Sequence, residues 1–316
     1  MSNVAGYLQG NLEQHLDHLA PLCSLMGWPL IVTDEAIYKL GKTYYPGLVL
    51  HLWNVLEAPF LVTQQFDTVI TTLPRVFFDE SFFIAEASLR KRLKTVWLPH
   101  GNSDKGHLFP HMEALKDEEA AFVYGPKMID FLNVKNVKIP KIILLGNFRY
   151  VYFQKHRSFY ENLLNEMGLQ ENFTLYAPTW NDAENSSSFE SSIDEVIEKL
   201  SGTPLVIKPH PNELENIRVI QRQLSKKVKW LDHFPPIYPL LSRTSHLIGD
   251  FSSIGYDFLQ FNRPMTFFNP TGRKADDPGL FLHQCRAEDR PVLARYTFGE
   301  ESTWIPLLEK VKQLDI

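Results

Sequence analysis

The sequence is poor in the features that most directly disclose a function. Only two cysteines occur in 316 residues, Cys23 and Cys285. Two scattered thiols form neither a disulfide framework nor a zinc-ligand spacing, and a reduced compartment suits them best. The opening stretch MSNVAGYLQGNLEQHL has no basic segment followed by an apolar one, so it does not read as a secretory signal. No apolar run approaches the roughly 18 residues of a membrane span. The formal net charge is -5, which argues against a general nucleic-acid binder because such proteins carry a basic surplus. The phosphate loop G-x-x-x-x-G-K-S/T, the dinucleotide fingerprint G-x-G-x-x-G, the zinc helix H-E-x-x-H and the nucleophile elbow G-x-S-x-G are all absent. So is Asp-x-Asp, a common metal–nucleotide clamp, and the residues present call for no metal or other cofactor.

What is present is a globular composition, 44% hydrophobic and 22% charged, in a chain long enough for two cores. Short apolar stretches alternate with helical or polar ones, the pattern of stacked strand–helix units and parallel sheets. In the first half strands are expected at Leu30–Thr33, Val49–Leu52, Thr68–Thr71, Thr95–Leu98 and Ala121–Tyr124, with helices at Leu12–Met26 and Glu80–Leu93. In the second half strands are expected at Thr174–Ala177, Leu205–Ile207, Val228–Trp230, His246–Ile248 and Met265–Phe268. Helices are expected there at Ser158–Met167, Glu190–Leu200 and Leu214–Leu224. A last helix over Thr303–Leu314 would take Thr303 as N-cap and tolerate Pro306 in its first turn. The division expected is 1–146, 147–300, and a terminal helix 301–316 crossing back to the first domain.

Three segments carry chemistry, each at an expected strand end, where open α/β sheets bind ligands. In Val96-Trp97-Leu98-Pro99-His100-Gly101, a strand runs into a histidine whose pKa range suits proton abstraction from a hydroxyl. The bland alternative is a loop histidine bonded to backbone. In Leu205-Val206-Ile207-Lys208-Pro209-His210, a cation and an imidazole follow a strand and suit an oxygen-rich anion such as a diphosphate. A proline-stiffened turn with a surface lysine is the plain alternative. In Leu247-Ile248-Gly249-Asp250-Phe251-Ser252-Ser253, a strand enters a helix start rich in anion-binding potential. An ordinary N-cap explains one serine but not an aspartate with two.

Taken in order, these segments resemble the CDP-glycerol glycerophosphotransferases of teichoic acid synthesis. The family's Trp–His-Gly segment with a following lysine is matched by Trp97, His100, Gly101 and Lys105. Its Ala-Pro-Thr-Trp strand end is matched by Ala177-Pro178-Thr179-Trp180, and its His-Pro by His210-Pro211. Its Asp-aromatic-Ser-Ser segment is matched by Asp250-Phe251-Ser252-Ser253, with Tyr256-Asp257-Phe258 after it. Asn102-Ser103 stand where the family usually has Thr-Pro, and Gly146–Tyr150 retains only Gly and Arg149 of an interdomain Gly-x-Pro-Arg-x-Asp block.

The resemblance implies the GT-B architecture: α/β, two Rossmann-like parallel-sheet domains facing across a cleft. It implies a transferase that moves glycerol phosphate or a related polyol phosphate from a CDP-linked donor to a glycan or lipid-linked acceptor. His100 would be the base on the acceptor hydroxyl, and His210 would stabilise the diphosphate. Lys105, Arg149, Lys208, Asp250, Ser252 and Ser253 would hold the donor, and His107 or His111 would stand in for His100 if it proved dispensable. The rivals are a GT-B enzyme using a nucleotide sugar and a non-catalytic GT-B binding module. A cytoplasmic chain is expected, in peripheral contact with the inner face of the plasma membrane. Arg90-Lys91-Arg92-Leu93-Lys94 is the dense basic run that would meet anionic headgroups, unless it is a solvated helix end.

Overall fold

A computed structural model describes residues 3–106, 111–224 and 228–314. The chain divides into two compact units. The first comprises residues 1–100, 111–156 and 295–316, and the second 101–110 and 157–294.

The first unit is built on seven parallel strands: β1 (Val4–Leu8), β2 (Leu30–Val32), β3 (Leu50–Leu52), β4 (Thr68–Thr71), β5 (Lys94–Trp97), β6 (Ala120–Val123) and β7 (Lys141–Leu144). Their order is β3-β2-β1-β4-β5-β6-β7. The chain winds outward from β1, then returns to lay β4 on its other side, so the topological switch point lies between β1 and β4. The second unit repeats the device with β8 (Phe173–Tyr176), β9 (Leu205–Ile207), β10 (Lys229–Trp230), β11 (Thr244–Gly249) and β12 (Met265–Phe267) in the order β10-β9-β8-β11-β12. Its switch point lies between β8 and β11. The β6–β7 pair is parallel in a regular register, and the β8–β11 pair is parallel with a register shift between Thr244 and His246. Strands buried on both faces explain the near-continuous apolar runs such as Leu205-Val206-Ile207.

The expected strands are present, and two more lie beside them. β7 occupies the apolar run after Pro140. β1 is central, with every residue buried, yet its VAGYL sequence carries a glycine that weakens a strand reading. Gly6 is there for close approach: a Cβ at that position would stand 2.5 Å from Cys23 Sγ and 2.8 Å from Leu30 Cδ1. Glycine thus lets the helix Glu13–Met26 lie tight on the sheet.

Two helix limits differ from expectation. The helix after the Arg75–Phe77 turn spans Asp79–Leu89 and stops where Arg90 takes a left-handed conformation, φ 51°. The chain then turns so that Leu93 N–H donates to Glu86 Oε1 at 2.7 Å. The last helix runs Glu301–Gln313. Thr303 therefore lies inside its first turn, and its hydroxyl donates to the Glu300 carbonyl at 2.6 Å instead of capping. That helix belongs to the first unit, where the buried Trp304 indole donates to the Phe298 carbonyl at 2.8 Å. The helix Phe148–Lys155 also belongs to the first unit.

Candidate functional site

Each unit gathers polar side chains at the carboxyl ends of its central strands. In the second unit the centre is Asp250, fully buried just past β11. Its Oδ1 accepts the Thr179 N–H at 2.9 Å and the Ser252 N–H at 3.2 Å. Its Oδ2 accepts the Ser188 N–H at 2.8 Å and the Ser188 hydroxyl at 2.9 Å. Burial pushes this carboxyl above its ordinary range, and the Ser188 and Thr179 donors oppose that rise. Because Thr179 follows β8, Asp250 ties together the two strands that flank the switch point.

Lys105 joins the same cluster. The chain passes from the first unit to the second after His100, at Gly101, whose φ of 118° suits only glycine. Ser103 Oγ then donates to the Phe251 carbonyl at 3.3 Å. Lys105 Nζ donates to Thr179 Oγ1 at 2.8 Å and pairs with Asp182 at 3.0 Å. A deeper anchor holds the segment in place. Asp104, 1% exposed, accepts from the Tyr256 hydroxyl and, at 3.1 Å, from the Leu282 N–H. The Arg273 guanidinium donates to the Asp104 carbonyl at 2.9 Å and closes a buried ion pair with Glu184.

Lys208 is buried directly after β9. His210 follows it, with Nδ1 accepting the Asn212 N–H at 3.2 Å and its ring centroid 6.2 Å from that of Trp180. This bond leaves the proton on Nε2, so His210 presents a donor edge. Ser252 is buried, and Ser253 heads the five-residue helix Ile254–Phe258 without a side-chain cap bond. The second unit therefore brings together Lys105, Thr179, Asp250 and Ser252 in one bonded network.

The first unit holds His100 and Arg149. His100 is exposed and its ring stacks on that of His15, with centroids 4.3 Å apart and planes 23° apart. His15 Nδ1 is 2.8 Å from Thr72 Oγ1, just past β4. His18, one turn on, is bonded through Nδ1 to the Tyr124 hydroxyl, just past β6. Burial holds His18 well below the ordinary histidine range, with Arg149, His100 and His15 adding to the effect. Arg149 is committed inside this unit: its guanidinium forms a buried ion pair with Asp17, and Nε donates to the Asp17 carbonyl at 3.1 Å. His107 and the side chain of His111 lie outside the described residues.

His15, His18 and Thr72 were not among the residues singled out from the sequence. The available signal was two histidines spaced i, i+3 in the helix after the first strand. Arg273, Glu184 and Asp104 carried no local signal, since they lie far apart in the chain. Among the described residues no group of three or more His, Cys, Asp or Glu is arranged to hold a metal ion. None of their helices is long and apolar enough to cross a membrane.

Two parallel-sheet α/β units, each with its polar residues at a switch point, are those of the GT-B architecture. Solved structures of similar fold share 10–12% identity with the chain. A variant of the wall teichoic acid polymerase TagF, solved after soaking with CDPG, has a TM-score of 0.64 at 11% identity, covering 98% of this chain and 89% of that one. MnaA of S. aureus, solved with UDP, has 0.62 at 12% identity, covering 99% and 96%. The UDP-N-acetylglucosamine 2-epimerase of Rickettsia bellii has 0.62 at 10% identity, covering 99% and 96%. No curated protein sequence matches the chain.

A family-level likeness covers part of the chain. Residues 134–275 match the model of the CDP-Glycerol:Poly(glycerophosphate) glycerophosphotransferases, a stretch that holds the Thr179, His210 and Asp250 segments. These matches support a glycerophosphotransferase-like enzyme of GT-B fold, as the resemblance implied.

Proposed function

We propose that the chain transfers glycerol phosphate, or a related polyol phosphate, from a CDP-linked donor to a hydroxyl of a glycan or lipid-linked acceptor. The observation that carries this is the Asp250 network. It fixes the ends of β8 and β11 at the switch point, within the stretch that matches the family. In this reading the acceptor oxygen attacks the β-phosphorus as its proton passes to His100. The new P–O bond forms while the bond from that phosphorus to the bridging oxygen breaks, and CMP leaves with the charge. His210, donating from Nε2, steadies that charge. Lys208 and the backbone around Ser252 and Ser253 hold the diphosphate, with Lys105 oriented by Thr179 and Asp182. Such a site works by positioning and electrostatic stabilisation.

A lipid-linked acceptor requires work at a membrane surface, on the cytoplasmic side where a CDP-linked donor is made. The run Arg90–Lys94 supports a peripheral contact, although Lys91 pairs with Asp67 at 2.9 Å and Arg92 with Glu119. Exposed Phe77, Phe83 and Ile84 precede it. Liposome flotation that survives neutralisation of this run removes it as the contact.

The test of the reaction is CMP release from CDP-glycerol, preceded by a thermal-shift panel of CDP, UDP and GDP ligands. Stabilisation by CDP ligands with CMP release supports the reading. Stabilisation by UDP ligands alone moves it to a nucleotide-sugar enzyme of the same fold. Binding without turnover on any acceptor moves it to a binding module.

A further inference from the structure

In the first unit's sheet order, β1, β4, β5 and β6 are consecutive. Past these four neighbouring strands stand His15 and His18, on the helix that follows β1, and Thr72, His100 and Tyr124, just beyond β4, β5 and β6. His15 is 4% exposed and sits in the first turn of the helix that follows β1, beside the switch point. Its Nδ1 is anchored at Thr72 and its ring face lies against His100. His100 itself is exposed and lies at the end of its unit's chain segment, so the orientation of its ring depends on what its faces rest against. The stack at 4.3 Å sets one face of the ring against His15.

We propose that His15 is a positioning residue for His100: anchored to Thr72, it fixes the plane in which the His100 imidazole meets the acceptor hydroxyl. The inference rests on the reading of His100 as the base. The surroundings fit the task. The groups coupled to the pair are His18 on the same helix, bonded to Tyr124, and Arg149, paired with Asp17. Asp17 and Arg149 neutralise one another, and Tyr124 holds His18. A base gains from such a frame because a misplacement of about 1 Å costs about 10²-fold in rate.

Three variants test this in the full-length chain: His15→Ala, which removes the ring; His15→Phe, which restores the ring face without nitrogens; and Thr72→Val, which removes the anchor at nearly constant shape. With CDP-glycerol and acceptor, His15→Ala should lower kcat by about 10²-fold with donor KM and calorimetric CDP affinity unchanged. His15→Phe should recover most of that loss, and Thr72→Val should fall between the two. Independently of turnover, the His100 ring-proton NMR signals should lose their stacking-induced upfield shift in His15→Ala and regain it in His15→Phe. Wild-type kcat in His15→Ala, or a loss shared equally with donor KM, would overturn the inference, as would unmoved His100 signals. If His100→Ala retains full turnover, the reading of the base fails instead. If wild type does not use CDP-glycerol, the donor reading fails and the ring signals alone decide whether His15 holds His100.

Discussion

The carboxylate of Asp250 receives both the backbone N–H and the hydroxyl of Ser188, at 2.8 and 2.9 Å. With Thr179 and Ser252 on its other oxygen, every partner is a donor. Asp250→Asn should therefore do more harm than its small change of shape suggests. One side-chain oxygen becomes an NH₂ facing N–H donors, leaving buried groups unsatisfied at about 1–3 kcal/mol. The expected result is a lower thermal midpoint and a lost CDP-induced shift in the same variant. Unchanged CDP stabilisation would show that the network supports the fold but not the ligand.

Arg149 and Asp17 make the corresponding statement in the first unit. Both are almost wholly buried, and Tyr45 OH donates to the other Asp17 oxygen at 2.8 Å. Removing one member of a buried pair leaves an uncompensated charge, which costs about 3–5 kcal/mol. Arg149→Ala should thus unfold at much lower denaturant, and Asp17→Leu with Arg149→Met should recover a good part of the loss. Donor affinity measured below the unfolding range should be unchanged in the double variant. A selective loss of affinity would return Arg149 to the donor site.

His18 gives the pH dependence. Its folded-state pKa lies below the ordinary 6.5 because burial, then Arg149, His100 and His15, disfavour its charged form. The unfolded chain binds this proton more readily than the folded one, so stability is present above about pH 6.5 and falls as pH drops below it. Chemical denaturation from pH 7.5 to 5 should show that loss. His18→Gln should flatten it in part, since His156 and His246 are also lowered by burial and contribute the same sign. A wild-type profile flat over this window would contradict the assignment.

Much of this was legible because parallel strands buried on both faces leave short, dense apolar runs. Thr68–Thr71, Leu205–Ile207 and the β11 run stand out for that reason, and the motifs at their ends followed. β1 was hidden because Gly6 serves helix packing and not strand propensity. With β1 unread, His15 and His18 had no strand end to belong to, so half of the first unit's polar cluster escaped notice. The Asp104–Arg273–Glu184 anchor escaped for another cause. Its members are distant in sequence, and only the tertiary fold brings them into contact. In the sequence Lys105 stands out only by its place after His100 in the family's pattern, and the structure shows what holds it: Thr179 and Asp182.

The two histidines of the motif should separate in kinetics. His100 stands in the first unit beside His15, and His210 stands in the second with its Nε2 proton directed by the Asn212 bond. A base acts on the acceptor and is not needed to bind donor. His100→Ala should therefore reduce kcat by about 10²–10⁴-fold while CDP binding by calorimetry is preserved. His210 would touch the diphosphate before and during bond cleavage, so His210→Ala should raise donor KM and also lower kcat, the latter by about 10²–10³-fold as for loss of one preorganised donor. His210→Asn offers a side-chain N–H and should recover part of the donor affinity, a gain that a merely structural histidine would not show. The assay is CMP release from CDP-glycerol under saturating acceptor, with binding measured separately for each variant. Equal losses of kcat in both variants with unchanged donor affinity in each would reject the division of labour, and full turnover in His100→Ala would require another base.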